Sequence, residues 1–130
     1  RTERVELSTL IVSDSLGRTR RIVGDPEIPR PIEYAWSDDG DLAYLIPQYG
    51  PVVVIRADEL PAWMAGGHAQ RSFQRLEKDG PARSYSKLHW VSKQAFAVNA
   101  VCCGYTSTAT VYVESGSIEL SRARPVYPRR

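Results

Sequence analysis

The sequence predicts an all-β protein made of antiparallel sheets with one short helix. Two observations carry that expectation. Short runs rich in β-branched and aromatic residues recur along the chain, each bounded by Gly, Pro, Asp or Ser, which is the pattern of strands. Helical signal is confined to a single window, residues 58–65.

The elements follow in order. Residues 7–13, "LSTLIVS", and 20–23, "RRIV", flank a Ser/Gly turn and form the first pair of strands. Residues 32–46, "IEYAWSDDGDLAYLI", give a strand ending at Trp36, a polar turn, and an alternating strand with Leu42, Tyr44 and Ile46 on one face. Alternation at period two is what a half-buried strand needs. "PVVVIRA" (51–57) is a stiff β-branched run suited to a pleated surface. In "DELPAWMA" (58–65), Asp58 can cap the N-terminus, Pro61 can sit in the first turn and Gly66-Gly67 end the helix. "RSFQRLE" (71–77) resumes the strands. "SKLHWVSKQAFAVNA" (86–100) repeats the earlier hairpin, with Trp90 in the place of Trp36 and Phe96 and Val98 on one face. The apolar strand of that hairpin runs over 95–103, and two more strands, 108–114 and 117–123, complete the chain.

The order repeats. Asp14, Asp58 and Glu114 each follow an apolar strand, at intervals of roughly 50 residues. Four strands per interval of that length is the spacing of a β-propeller blade. The chain divides into a half blade (7–23), a blade (32–77) carrying the insertion 58–70, and a blade (86–124). The expected fold is therefore a partial β-propeller-like set of antiparallel sheets forming one domain, 1–130. Trp36 and Trp90 are expected at equivalent core positions, and Trp63 outside the core. The edge of residues 7–23 needs cover. Pairing with another strand set, as in a homodimer, or shielding by the C-terminal segment 125–130 is expected to supply it.

Composition narrows the function classes. Of 130 residues, 42% are hydrophobic and 25% charged, which is ordinary for a globular domain. A chain this long can bury roughly two-thirds of the surface it exposes when unfolded, so its core requires no metal or disulfide. No stretch approaches the ~20 apolar residues of a membrane helix. Net charge is +2, with arginines gathered at 18, 20 and 21 and again at 122, 124, 129 and 130. A dense basic face with interleaved aromatics is missing, so these arginines suggest a solvated edge and tail rather than a nucleic-acid interface. The chain begins with Arg, not Met; removal of an export signal and a chosen boundary would look the same, and a periplasmic location is the expectation. Cys102 and Cys103 are adjacent and cannot staple distant segments.

The residues Trp36, Ser37, Asp39 and Gly40 resemble the first hairpin of TolB-type propeller blades, in which a Trp-Ser-x-Asp-Gly turn precedes an alternating strand. The second hairpin keeps Trp90 but has Val91-Ser92-Lys93 in place of the Asp-Gly turn. In size and architecture the chain is similar to small periplasmic immunity proteins that block toxic amidases delivered by type VI secretion. That resemblance implies a non-enzymatic binding protein whose partner is a secreted toxin enzyme.

The aspartates 38, 39 and 41 around Gly40 suit a hairpin turn; their spacing is not that of a calcium loop. Neither His68 nor His89 lies in a zinc-ligand spacing, and no metal or cofactor is expected. Ser84-x-x-Lys87 leads into a strand instead of lying on the helix that catalytic use of this motif requires. Cys102 and Cys103 are expected to point to opposite faces of a strand. The enzymatic alternative is a small hydrolase using His89 with Cys103; a fragment of a larger propeller scaffold is the structural one. The binding residues expected are Tyr105, Thr106, Ser107 and Thr108 in the polar loop "GYTSTAT", Tyr49 in "PQYGP", and Trp63 and Met64 in "LPAWMAGGH". Large aromatics on loops are common anchors, although Trp63 could instead close an open end of the core.

Overall fold

The computed structural model describes residues 1–6, 8–76 and 83–126. Among the described residues, twelve strands form three antiparallel sheets, and there is one helix. Strands β1 (Thr2–Glu6), β2 (Thr9–Ser13) and β3 (Thr19–Val23) form the first sheet. Strands β4 (Glu33–Trp36), β5 (Leu42–Leu45) and β6 (Val52–Ile55) precede helix α1 (Leu60–Met64), and β7 (Arg71–Phe73) completes the second sheet. The third contains β8 (Ser84–Trp90), β9 (Ala95–Cys102), β10 (Tyr105–Tyr112) and β11 (Ile118–Leu120), with β12 (Arg124–Pro125) pairing on β10 beside β11. The described sheets do not close into a barrel or a propeller.

The sheets stack in sequence order. Every residue of β5 and β6 is buried. Alternation divides those side chains between two cores. Leu42, Tyr44, Val53 and Ile55 meet Leu10, Val12 and Ile22 of the first sheet. Ala43, Leu45, Val52 and Val54 meet Phe96, Val98, Ala109 and Val111 of the third. Polar links reinforce the stack. Arg4 donates to the Ile32 carbonyl at 3.1 Å. Between the second and third sheets, the Trp90 indole N–H donates to the Ala35 carbonyl at 3.0 Å. The register of β8 against β9 shifts between Ser86 and His89. There the Leu88 N–H turns to the Glu33 carboxylate of β4, at 2.9 Å.

Three expectations are corrected. The first unit is not a half blade of two strands. Residues 2–6, polar and without an apolar run, add β1, which pairs with β2 from Thr2↔Val12 to Glu6↔Thr9. Backbone pairing builds this edge strand, and the Arg4 bond to Ile32 and the Trp36 indole N–H donated to Thr2 Oγ1 at 3.4 Å tie it to the second sheet. The edge of β2 is therefore covered from within the chain, whereas Pro125 pairs with Tyr105 in the third sheet. Residues 7, 77 and 127–130, which the sequence assigned to strand ends and to the covering segment, lie outside the described residues.

The expected anchors Trp63 and Met64 lie inside the protein. They are not surface anchors: Trp63 is 1% exposed and Met64 is buried beside it in the core between the first two sheets. The Trp63 indole N–H donates to Gln70 Oε1 at 2.7 Å. The guanidinium of Arg20 stacks 4.3 Å from the ring centroid and donates to the Trp63 and Gly67 carbonyls at 2.6 and 2.7 Å. Arg20 thus holds the C-terminal end of α1 against β3, a favourable place for a cation. Gly67 is required here, since a Cβ would lie 2.7 Å from the Ala62 carbonyl oxygen. Trp36 and Trp90 do end corresponding strands, β4 and β8, but both are only half-buried.

Replacing Trp63 with Ala should cost about 3–5 kcal/mol of stability, the range for emptying a fully packed aromatic site. The Trp36→Ala and Trp90→Ala variants should each lose less. Denaturant unfolding of the three proteins provides the comparison, and a smaller loss at Trp63 than at either other site would contradict this packing.

Candidate functional site

Hairpin turns place polar side chains at the two ends of the stack. At one end lie the turns β2–β3, β4–β5 and β8–β9, with the segment after β6. In the β4–β5 turn, the Ser37 N–H donates to the Asp41 carbonyl at 2.8 Å and the Gly40 N–H to the Ser37 carbonyl at 3.0 Å. Gly40 supplies the φ of +85° that the corner needs. The aspartate cluster is a turn, as its residue types suggest.

Asp41 does more than turn the chain. It is buried. Its Oδ1 accepts the Ala57 N–H at 2.7 Å and its Oδ2 accepts Arg56 Nη1 at 2.9 Å. Arg56 also donates to the Lys93 carbonyl at 3.0 Å and, through Nε, to Glu114 Oε1 at 3.1 Å. Glu114 Oε2 accepts Arg71 Nη2 at 3.2 Å, and Arg71 Nη1 reaches Glu59 Oε1 at 2.8 Å. This network lines an open cleft of about 570 Å³ with Asp39, Asp58 and Lys93. Its guanidinium groups already hold carboxylates, so the arrangement joins the second and third sheets. Two of the three repeating acids meet at this network, Glu114 within it and Asp58 on its rim. Asp14 stays in its own turn, where Oδ1 accepts the Leu16 and Arg18 amides and Oδ2 accepts Arg18 Nε.

The opposite end carries the exposed aromatics. Tyr49, in the β5–β6 loop, is 51% exposed. The neighbouring Gln48 carbonyl accepts the Tyr85 N–H of β8 at 2.9 Å, which ties this loop to the third sheet. Tyr105 opens β10 and is 53% exposed. Arg30 reaches the same region, donating to Ser84 Oγ at 2.8 Å, and Arg83 donates to Ser107 Oγ at 3.0 Å.

The expected loop "GYTSTAT" is a strand. Residues 105–112 pair with β9 in unbroken register, from Tyr105↔Cys102 to Tyr112↔Ala95. The alternation of Ala109, Val111 and Val113 continues back through Ser107, a signal present in the sequence but masked by the run of hydroxyls. The four candidates are consequently divided. Ser107 is buried on the inner side. Thr106 faces away from that side and its hydroxyl donates to Asn99 Oδ1 at 2.7 Å. Thr108 is exposed, with its backbone N–H and carbonyl held by Ser121. Tyr105 and Tyr49 remain as exposed aromatics at one end, while Trp63 and Met64 belong to the core.

His89 and Cys103 are not brought together. His89 is opposite Ala97 on β9, five residues before Cys102, a separation of roughly 16 Å along a strand. Cys102 and Cys103 are bonded to each other and close a turn instead of pointing to opposite faces of a strand. His89 instead borders a groove of about 450 Å³ between Trp36 and Trp90. Among the described residues, no His, Cys, Asp and Glu side chains gather as a metal-binding group. Among the described residues, no helix is long and apolar enough to cross a membrane.

No family model, curated protein or solved structure matches the chain.

Two outcomes test the polar end. Asp41→Ala should cost about 3 kcal/mol, the lower end for breaking a buried pair, because Arg56 retains Glu114. Glu114→Gln, at a carboxylate 63% exposed, should cost under about 1 kcal/mol. Comparable losses in thermal or denaturant unfolding would contradict this ranking. For Asp14, desolvation raises the carboxyl pKa, but the hydrogen bonds and charge of Arg18 and the Leu16 amide outweigh it and leave it below the ordinary 3.8. Its contribution to folding is therefore present above 3.8 and disappears as pH falls through the lower folded value. A carboxyl titration followed by NMR should show a midpoint below that of the Asp in an unfolded peptide.

Proposed function

We propose that this protein is a non-enzymatic binding module that engages another protein through the end bearing Tyr49 and Tyr105. The observation that carries the reading is the half exposure of both tyrosines, Tyr105 within the β9–β10 ladder and Tyr49 between Gln48 and Gly50, whose backbones are hydrogen-bonded to Tyr85 and Ile46. Tyr and Arg concentrate binding energy in protein interfaces. Tyr also loses little conformational freedom when it binds, having two side-chain torsions. Arg30 and Arg83 lie beside the tyrosines, and Arg122 and Arg124 on the adjoining edge are exposed. An acidic surface complements them.

The finer reading is an immunity protein, periplasmic, that blocks a secreted toxin enzyme. Its support is the size and repeat architecture described from the sequence. In this reading the tyrosine end meets the enzyme's cleft, and the rigid hairpin at Cys103-Gly104 enters it. The inhibitory element is a turn and the start of a strand, in place of a hydroxyl-rich loop.

The experiment is a binding titration against toxin enzymes encoded beside this chain. Tyr49→Ala combined with Tyr105→Ala should weaken binding by about 2 kcal/mol, about 30-fold, with an unchanged melting temperature. Leu16→Ala, at a residue 77% exposed on the other end, should bind like the parent. Equal weakening by Leu16→Ala would move the interface away from the tyrosines. Binding to none of the enzymes would end the inhibitor reading.

A further inference from the structure

The turn between β9 and β10 contains only Cys103 and Gly104, because Cys102 pairs directly with Tyr105. Their φ angles are +60° and +82°. Two successive residues with positive φ make a type I′ turn, for which Asn-Gly and Asp-Gly are the preferred pairs. Gly104 fits. Cys103 does not, since its β-carbon crowds the backbone in this region and its side chain lacks the local hydrogen bonds that help Asn or Asp. The bond from Cys103 to Cys102 closes a small ring around the intervening peptide. That ring supplies the restraint that a favourable residue would otherwise give.

Two further observations concern access and consequence. Cys103 is exposed and Cys102 half-buried, so a small thiol can reach the bond. The turn also anchors the C-terminal segment: the Val126 N–H donates to the Gly104 carbonyl at 2.8 Å, and β12 pairs through Tyr105↔Pro125 and Thr106↔Arg124.

We propose that Cys102–Cys103 is a reversible thiol–disulfide exchange site for low-molecular-weight thiols, and that its redox state sets the order of this turn and of β12. The thiolate of a small thiol attacks Sγ of Cys103. The S–S bond breaks and its electron pair leaves on Cys102 Sγ, which takes up a proton. A second small thiolate then attacks the small thiol's own sulfur in the mixed disulfide, releasing Cys103 as a thiolate that is protonated from solvent. In sum, one protein disulfide and two small thiols become two protein thiols and one small disulfide, a two-electron exchange. In the reduced chain Cys103 must hold a left-handed conformation unaided. The turn opens more often, and the segment docked on Gly104 opens with it. This inference stands independently of the binding reading.

The test uses the whole protein, oxidised with glutathione disulfide, before and after equilibration with dithiothreitol. Maleimide should label both cysteines after reduction and neither before. Hydrogen exchange at the Val126 amide should accelerate at least about fivefold on reduction, while exchange at Val53 in the middle sheet stays unchanged. The variant Cys102→Ser with Cys103→Asn places a favoured residue in the turn and removes both sulfurs. Its Val126 amide should exchange as slowly as in the oxidised parent, with or without reductant. Labelling of both cysteines before reduction, unchanged Val126 exchange after it, or fast exchange in the variant would each overturn the proposal.

Discussion

Strands β5 and β6 have no side chain facing water. A sheet buried on both faces must be covered on both, and adjacent residues of a strand point to opposite sides. This one constraint makes the molecule a stack of three layers. Leu42 and Tyr44 need the first sheet, Ala43 and Leu45 need the third, and neither outer sheet can be removed without exposing a row of apolar side chains. It also decides where polar chemistry can sit. Its two central strands leave the core only at their ends, so the polar side chains that flank them, Asp41, Arg56 and Tyr49 among them, sit at the two ends of the stack.

The outer sheets meet a gentler requirement, one buried face and one wet face. In β10 the residues Ser107, Ala109 and Val111 are buried while Thr106, Thr108 and Thr110 face the other way. Two charged side chains turn inward around the insertion after β6, one from within the β2–β3 ladder and one from a turn. Arg20 closes the carbonyls at the end of α1, and Asp41 receives the Ala57 amide just after β6. Asp41 is buried and Arg20 half-buried, and in both places the charge is matched by hydrogen bonds, the condition under which burial is tolerable. The insertion after β6 is thus fixed at both ends, by Asp41 where it begins and by Arg20 where its helix stops.

The two ends have different characters. At one, Asp41, Arg56, Glu114, Arg71 and Glu59 satisfy one another and bind the second and third sheets together. At the other, Tyr49 and Tyr105 lie half exposed beside arginines. Tyr105 adjoins the Cys103-Gly104 turn, so the residue proposed to meet a partner and the disulfide proposed to exchange with thiols share one hairpin. Any change in the order of that turn reaches Tyr105 through a single peptide unit.

The sequence by itself determined the fold class, the positions of most strands, the turn at Asp38–Asp41 and the insertion with its short helix. These are local properties: β-branched runs, Asp-Gly at a corner, Pro and Gly at helix limits. Only the tertiary structure decided what each side chain meets. "LPAWMAGGH" looks the same whether its Trp is a surface anchor or a core residue; the distant Arg20 and the first sheet make it core. Residues 2–6 have no apolar pattern, and their strand exists because β2 offers an open backbone edge. "GYTSTAT" resembles a loop by composition, yet the neighbouring β9 pulls it into register, since backbone hydrogen bonds do not depend on side-chain polarity. The ion network is likewise absent from any window, because Asp41, Arg56, Arg71 and Glu114 are far apart in the chain. Local chemistry fixes conformation over a few residues, whereas burial and long-range pairing depend on which segments the fold brings into contact.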